Sequence, residues 1–141
     1  ADIIVIGPGS LYTSIIANLI IPDISEAIIN SRAKKVFICN IMSEEGETDR
    51  LDCYGHLEKI TDHVKNLKID YMLINNKIIE SDILERYDRE HKHPVYVDDS
   101  QRAKIRELGV QIIEDNLLRV SETGQIMHDS EKVARILLDI L

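Results

Sequence analysis

The chain has 141 residues, of which 44% are hydrophobic and 30% are charged, and its formal net charge at pH 7 is −8. This is the composition of a globular domain, and the negative charge argues against a nonspecific nucleic-acid surface, which needs clustered lysine and arginine. No apolar run approaches the roughly 20 residues of a membrane-spanning helix. The sequence begins inside a strand pattern and without an initiator methionine, so we expect it to be part of a longer protein.

Apolar runs of strand length alternate with longer amphipathic stretches along the whole chain. Strands are predicted at residues 2–6, 35–40, 69–75, 95–98 and 110–113. Helices are predicted at residues 12–19, 23–31, 54–67, 81–88, 101–108 and 130–140. Because the first strand is apolar at nearly every residue, both of its faces should be covered. The pattern predicts one α/β domain over residues 1–141, with a mostly parallel sheet and helices on each side.

A glycine-rich loop, with the sequence Gly-Pro-Gly-Ser-Leu-Tyr-Thr-Ser, follows the first predicted strand. Gly7 and Gly9 allow a sharp turn and a close approach of the backbone to a ligand, because neither carries a Cβ. Three hydroxyls at the start of the next helix can donate to anionic oxygens, those of Ser10, Thr13 and Ser14. The loop therefore fits a phosphate site, but it also fits a tight turn whose hydroxyl caps a helix.

Polar residues also follow the later predicted strands. Asn40 follows the second strand, Asn75 ends the third, and Asp98 ends the fourth. Asparagine and aspartate are common turn residues, so each case alone is ordinary. Since ligands of open parallel sheets bind outside the carboxyl ends of the strands, these residues together predict a polar crevice at one edge.

The loop after Asn40 has two interpretations. In the first it reaches over the crevice, where Asn40 and Thr48 bind polar ligand atoms and Glu47 or Asp49 holds a cation or acts as a base. In the second it is an acidic, solvated loop in which Thr48 or Asp49 caps the next helix. His128 has a similar ambiguity, because it either faces the crevice or simply precedes the cap of the last helix.

The two cysteines lack the spacing of metal ligands. Cys39 lies in a strand-like run and is expected to be a small core residue, whereas Cys53 is flanked by polar residues and is expected to be partly exposed. We expect two reduced thiols in a cytoplasmic protein.

The motifs taken together resemble the CofD-like superfamily and, within it, the gluconeogenesis factor (YvcK-like) branch. The resemblance rests on residues 7–16, 40–42, 46–49, 70–76 and 128–129, which occur in this order over essentially the whole chain. It implies a Rossmann-like, three-layer α/β/α fold. It also implies that the chain is about the carboxyl-terminal half of a longer protein, so that the fold is incomplete here.

The resemblance implies a regulator that binds a nucleotide sugar, notably UDP-N-acetylglucosamine, with protein partners in carbon metabolism and cell-wall precursor supply. The alternative is a transferase that moves a phospholactyl group from a guanosine-diphosphate carrier to a deazaflavin alcohol, with Mg²⁺ held by Asp49 or Asp98. The candidate ligand-binding residues are Gly7, Gly9, Ser10, Tyr12, Thr13, Ser14, Asn40, Glu47, Thr48, Asp49, Asn75, His128 and Asp129.

Two further expectations concern Met127, where the sequence departs from the YvcK-like branch, and the oligomeric state. Met127 stands where relatives usually carry an arginine, which would bind a diphosphate through bidentate hydrogen bonds. Its absence is expected to weaken UDP-sugar binding by ~1.5–3 kcal/mol, the value of a hydrogen bond to a charged group. An open sheet edge in the shortened fold predicts pairing with another chain, so we expect a homo-oligomer.

Overall fold

The computed structural model describes residues 1–141 and contains a 4-stranded parallel sheet in the order β1-β2-β3-β4. Its strands are β1 (Ile3–Ile6), β2 (Lys34–Ile38), β3 (Tyr71–Asn75) and β4 (Gln111–Asp115). A 2-stranded antiparallel hairpin follows, formed by β5 (Leu118–Val120) and β6 (Ile126–His128). The predicted α/β class with a mostly parallel sheet is confirmed.

The helices connect and follow these strands. A π-helical segment, Leu11–Ile16, runs directly into a short α1 (Ala17–Leu19). The remaining helices are α2 (Pro22–Asn30), α3 (Cys53–His63), α4 (Ser81–Asp88), α5 (Asp99–Glu107) and α6 (Ser130–Ile140). The side chains of Asp52, Asp98 and Asp129 accept hydrogen bonds from backbone N–H groups in the first turns of α3, α5 and α6. These aspartates fix where the three helices begin.

Side chains that alternate along the strands build two hydrophobic layers. Phe37, Met72 and Ile74 face a large cluster that includes residues of α3, α5 and the π-helical segment. Val36 and Leu73 point the other way, into a smaller cluster completed by residues of α6. Because strand side chains alternate with period 2, each strand supplies both layers. Helices therefore cover both faces of the sheet, which gives the expected three-layer α/β/α arrangement.

The predicted strand at residues 95–98 is wrong. Pro94 makes only an isolated antiparallel bridge with Met42, and the Val95 N–H donates to the Ile41 oxygen at 2.9 Å. Proline has no N–H to continue a ladder, and the helix cap at Asp98 ends the extended run. The fourth strand of the sheet is instead β4, which corresponds to the fifth predicted strand, at residues 110–113. The sequence pattern does not predict the hairpin formed by β5 and β6.

Cys53 is buried rather than partly exposed. Both cysteines are free and inaccessible, and their Sγ atoms lie 3.9 Å apart between the end of β2 and the start of α3. Of its polar neighbours, Asp52 is exposed and caps α3, whereas Tyr54 packs partly against the core, so the thiol stays covered.

The lengths and compositions of the helices bear on membrane spanning. Taken one at a time, the helices are too short or too polar to cross a bilayer. The bent pair Leu11–Leu19 and Pro22–Asn30, with an angle of 75°, reaches the length and composition of a broken span only when its two parts are combined.

Candidate functional site

The loops that follow β1 and β2 meet at the carboxyl edge of the sheet. The Asn40 side chain donates through Nδ2 to the Gly9 oxygen at 3.1 Å. Beside it, the Ser10 hydroxyl donates to Glu44 Oε2 at 2.6 Å. The parallel register of the two strands causes this contact, because it brings their ends to the same level. The structure thus places Ser10 and Asn40 on the same rim of the sheet.

A cavity of about 430 Å³ opens at this rim. Its walls come from the two loops, from the end of α4 with the chain that follows it, and from strand β6. The lining residues are Pro8, Gly9, Asn40, Ile41, Met42, Ser43, Glu44, Tyr87, Lys92, Ile126, Met127 and His128. Gly9, Asn40 and His128 are the candidate binding residues that line it.

His128 joins the hairpin to the sheet and faces this cavity. Its Nε2 lies 3.0 Å from the Cys39 oxygen at the end of β2. A carbonyl oxygen only accepts hydrogen bonds, so Nε2 carries the proton and Nδ1 remains an acceptor in the neutral ring. Burial lowers the pKa of His128. The residue is therefore a neutral hydrogen-bonding group near pH 7 and does not supply positive charge to the cavity.

The acidic loop after Asn40 is braced by its own side chains. Thr48 is buried, and its Oγ1 accepts from the Glu44 N–H at 2.8 Å. Asp49 Oδ2 accepts from the Gly46 N–H at 2.9 Å. Glu47 Oε2 is buried without a hydrogen-bond partner, and none of these three candidate residues lines the cavity. Thr48 and Asp49 shape the loop itself and do not cap α3, whose cap is Asp52.

The residues after Ser10 lie on the π-helical segment, away from the cavity. Tyr12 packs edge-on against His63, with ring centroids 6.1 Å apart. Thr13 is exposed, and Ser14 lines a separate cavity of about 290 Å³ along β1. Gly7 also lines that second cavity. The glycine loop thus contributes to the main cavity through Pro8 and Gly9, whereas the candidate residue Ser10 does not line it.

Asn75 and Asp129 are held by backbone groups. Asn75 is buried, its Nδ2 donates to the Lys77 oxygen at 2.9 Å, and its Oδ1 accepts from the Leu117 N–H at 3.1 Å. Asp129 Oδ1 accepts from the Lys132 N–H at 3.2 Å as the cap of α6. Neither side chain reaches the lining of the cavity.

The carboxylates expected to hold Mg²⁺, Asp49 and Asp98, do not line this cavity. Asp49 is exposed and bonded to its own loop, while Asp98 accepts from the Gln101 N–H at 2.8 Å as the cap of α5. Glu44 is the carboxylate among the lining residues. Since Mg²⁺ is normally bound by one or two carboxylates together with substrate phosphates and water, Glu44 is the carboxylate of this cavity that could contribute to such a site.

The lining residues that were not candidates from the sequence include Glu44, Tyr87 and Lys92. Lys92 Nζ binds Glu90 Oε2 at 2.8 Å and lies 6.0 Å from the centre of the Tyr87 ring. The hydrogen bond to Glu90 is the main cause that raises the pKa of Lys92, and the charge of Glu44 adds to it. Lys92 is the one lysine or arginine among the lining residues. The sequence did not indicate that Lys92 lines a cavity, because charged stretches like the one around it are usually exposed to solvent.

Contacts between α4 and the hairpin explain the position of Tyr87. Its hydroxyl accepts from the Ile126 N–H at 2.8 Å, and the neighbouring Arg86 donates to the Thr123 and Gly124 oxygens. The sequence signal for the hairpin is limited to a turn glycine, Gly124, between two runs of only three residues. In the structure this glycine has a positive φ of 77°.

Comparison with known proteins places this architecture in a family. The family described as "2-phospho-L-lactate transferase CofD" matches residues 1–118. The gluconeogenesis factor of Bacillus subtilis is 39% identical over 141 residues, which is 100% of this chain and 43% of that protein. The gluconeogenesis factor of Halalkalibacterium halodurans is 40% identical over 139 residues, which is 99% of this chain and 42% of that protein.

A solved structure shows the same similarity to this group of proteins. The crystal structure of a Bacillus halodurans protein of the UPF0052 family aligns with a TM-score of 0.90 and 40% identity, covering 98% of this chain and 43% of that one. The chain spans 42–43% of the length of these two curated relatives. On the match over residues 1–118, together with the likeness of its whole length to gluconeogenesis factors, the chain belongs to the CofD family.

Proposed function

We propose that the protein binds a nucleotide sugar of the UDP-sugar type in this cavity and acts as a regulator of carbon metabolism and cell-wall precursor supply. The observation that carries the proposal is the junction of the glycine loop with Asn40, which opens on a cavity at the carboxyl edge of a parallel sheet. The name gluconeogenesis factor, carried by relatives at 39–40% identity, supports the link to carbon metabolism.

The chemistry of the lining supports a ligand that is polar and bears phosphate. A volume of about 430 Å³ lies within the range of about 300–1,000 Å³ of small-molecule sites. Asn40 Oδ1 and His128 Nδ1 are acceptors left over from the bonds that position these residues, and both can accept from sugar hydroxyls. Lys92 is the cation of the lining, for whose ammonium group a phosphate would compete with Glu90.

Titration calorimetry of the full-length protein tests the proposal, with UDP-N-acetylglucosamine, GDP and NADP as ligands. We expect saturable binding of UDP-N-acetylglucosamine, weaker binding of the other two, and recovery of the UDP-sugar unchanged. Absence of heat with every nucleotide would argue for a vestigial site. Consumption of a phospholactyl guanosine-diphosphate donor with a deazaflavin acceptor would support the transferase that the family description names.

A single substitution sharpens this test. Met127 is 40% exposed and lines the cavity, so Met127→Arg adds a cation where a diphosphate would be bound. A gain of ~1.5–3 kcal/mol corresponds to roughly 10- to 150-fold tighter binding of UDP-N-acetylglucosamine. Val120→Arg is the matched control, because Val120 is 39% exposed on the same hairpin but does not line the cavity. Equal effects of the two substitutions would contradict the assignment of Met127.

A further inference from the structure

The Glu44 carboxylate occupies the polar wall of the main cavity. Its Oε2 accepts from the Ser10 hydroxyl at 2.6 Å, and its Oε1 lies 3.4 Å from Asn40 Nδ2. The backbone of Glu44 is fixed at the same time, because its N–H donates to Thr48 Oγ1 at 2.8 Å. The carboxylate is therefore held in place both through its own oxygens and through the loop that carries it.

Asn40, which lines the cavity, and Ser10, which lies beside it and contacts the lining residue Glu44, are the side-chain donors that the two strand ends bring together. An anionic oxygen of a ligand would need these donors, and the carboxylate already uses them. A phosphate placed beside them would also lie within a few ångströms of the negative charge of Glu44, and like charges at such distances repel strongly inside a protein. This wall of the cavity is thus unfavourable for phosphate, although its donors are those of a phosphate site.

We propose that Glu44 is a specificity-determining residue, whose carboxylate excludes anionic groups from Ser10 and Asn40 and accepts hydroxyl groups of the ligand instead. The phosphates of the ligand are then directed to the Lys92 side of the same cavity. The inference rests on the proposed nucleotide-sugar function and adds an orientation to it. The sugar lies against the loop that follows β2, and the diphosphate lies toward the end of α4.

Inorganic pyrophosphate is a suitable probe, because it carries the charge of a diphosphate and none of its hydroxyl groups. Glu44→Gln keeps the size of the side chain and removes its charge, so we expect pyrophosphate to bind the full-length variant at least about tenfold tighter than the wild type. Glu45→Gln is the matched control, since it makes the same change of net charge on an exposed neighbour outside the lining. The control should leave pyrophosphate binding unchanged.

Ser10→Ala gives a second readout. In the wild-type background it should not alter pyrophosphate binding, because Glu44 already occupies the hydroxyl of Ser10. In the Glu44→Gln background it should remove most of the gain. Circular dichroism shows whether Glu44→Gln folds. If it does not, the single Ser10→Ala variant still tests the inference, because a loss of pyrophosphate binding in that variant would overturn it.

The outcomes separate this inference from the proposed function. If UDP-N-acetylglucosamine does not bind the wild type but Glu44→Gln gains pyrophosphate binding, exclusion of anions by Glu44 stands and the proposed ligand is wrong. If UDP-N-acetylglucosamine binds and Glu44→Gln shows the same pyrophosphate affinity as Glu45→Gln, the proposed function stands and the role of Glu44 is refuted. No detectable pyrophosphate binding to Glu44→Gln also refutes it.

Discussion

Gly7 ends β1 and begins the loop beside the cavity, and its replacement by alanine is expected to destabilise the fold much more than the same change at Gly46. Both glycines have a positive φ, 82° at Gly7 and 78° at Gly46. A Cβ at Gly7 would lie 3.0 Å from the Ile38 oxygen and 3.2 Å from Ile15 Cδ1, whereas a Cβ at Gly46 would meet nothing within 4 Å. Comparing Gly7→Ala with Gly46→Ala therefore separates the cost of backbone strain from the cost of steric overlap.

The expected magnitudes follow from these two terms. A left-handed conformation costs an alanine about 1–2 kcal/mol, and the loss of unfolded-state entropy offsets about 0.4–1 kcal/mol of it. Gly46→Ala should therefore lower the free energy of unfolding by about 0.5–1 kcal/mol. Overpacking against a backbone carbonyl adds about 1–3 kcal/mol, so Gly7→Ala should lower it by about 1.5–4 kcal/mol.

Urea denaturation followed by far-ultraviolet circular dichroism measures both values, since the chain contains no tryptophan for fluorescence. Equal losses for Gly7→Ala and Gly46→Ala would show that backbone strain alone decides, and would refute the steric argument. A loss at Gly46→Ala as large as 3 kcal/mol, well above the strain expected for one residue, would refute the estimate of the strain itself.

Two further predictions concern buried titratable groups. Burial lowers the pKa of His56 and His128, so below about pH 6.5 the unfolded chain binds more protons than the folded one. The free energy of unfolding should then fall with falling pH, by at most about 1.4 kcal/mol per pH unit for each histidine. In His56→Gln the urea midpoint should therefore depend less steeply on pH between pH 8 and pH 5 than in the wild type. Both thiols are buried, so they should resist iodoacetamide in the folded protein and react in denaturant. For Cys39 the hydrogen bond with Cys53 and burial also raise the pKa, which further disfavours the reactive thiolate. Mass spectrometry checks this, and rapid labelling of either thiol without denaturant would contradict the buried pair.

Much of the fold was predictable because its strands carry strong local signals. The run around Phe37 is apolar on both faces, so a two-sided sheet followed from the residues alone. The segment after Pro94 gave a false signal, because three apolar residues resemble a strand whether or not a ladder continues. The hairpin strands β5 and β6 have only three residues each, which is too short for alternation to stand out.

The cavity was less predictable because long-range contacts determine its lining. The contact of Glu44 with Ser10 spans 34 positions, and that of His128 with Cys39 spans 89. The sequence indicated that polar groups gather at the strand ends, and Gly9 and Asn40 do so. It gave no information on which loop side chains point inward, since that depends on hydrogen bonds with residues far away in the chain.

The contacts that hold the hairpin therefore bear directly on ligand selectivity. His128 fixes β6 to the end of β2, and the Asp129 N–H donates to the Leu117 oxygen at 2.7 Å. Met127 precedes His128 in β6, so the contacts of the hairpin, and not the glycine loop, place its side chain at the cavity. A relative could change Met127 and keep every hydrogen bond that builds the site, whereas a change at Glu44 would also alter the contacts with Ser10 and Asn40. The family fold thus fixes the position of the cavity, while the side chains at positions 44, 92 and 127 set the charge that a ligand meets there.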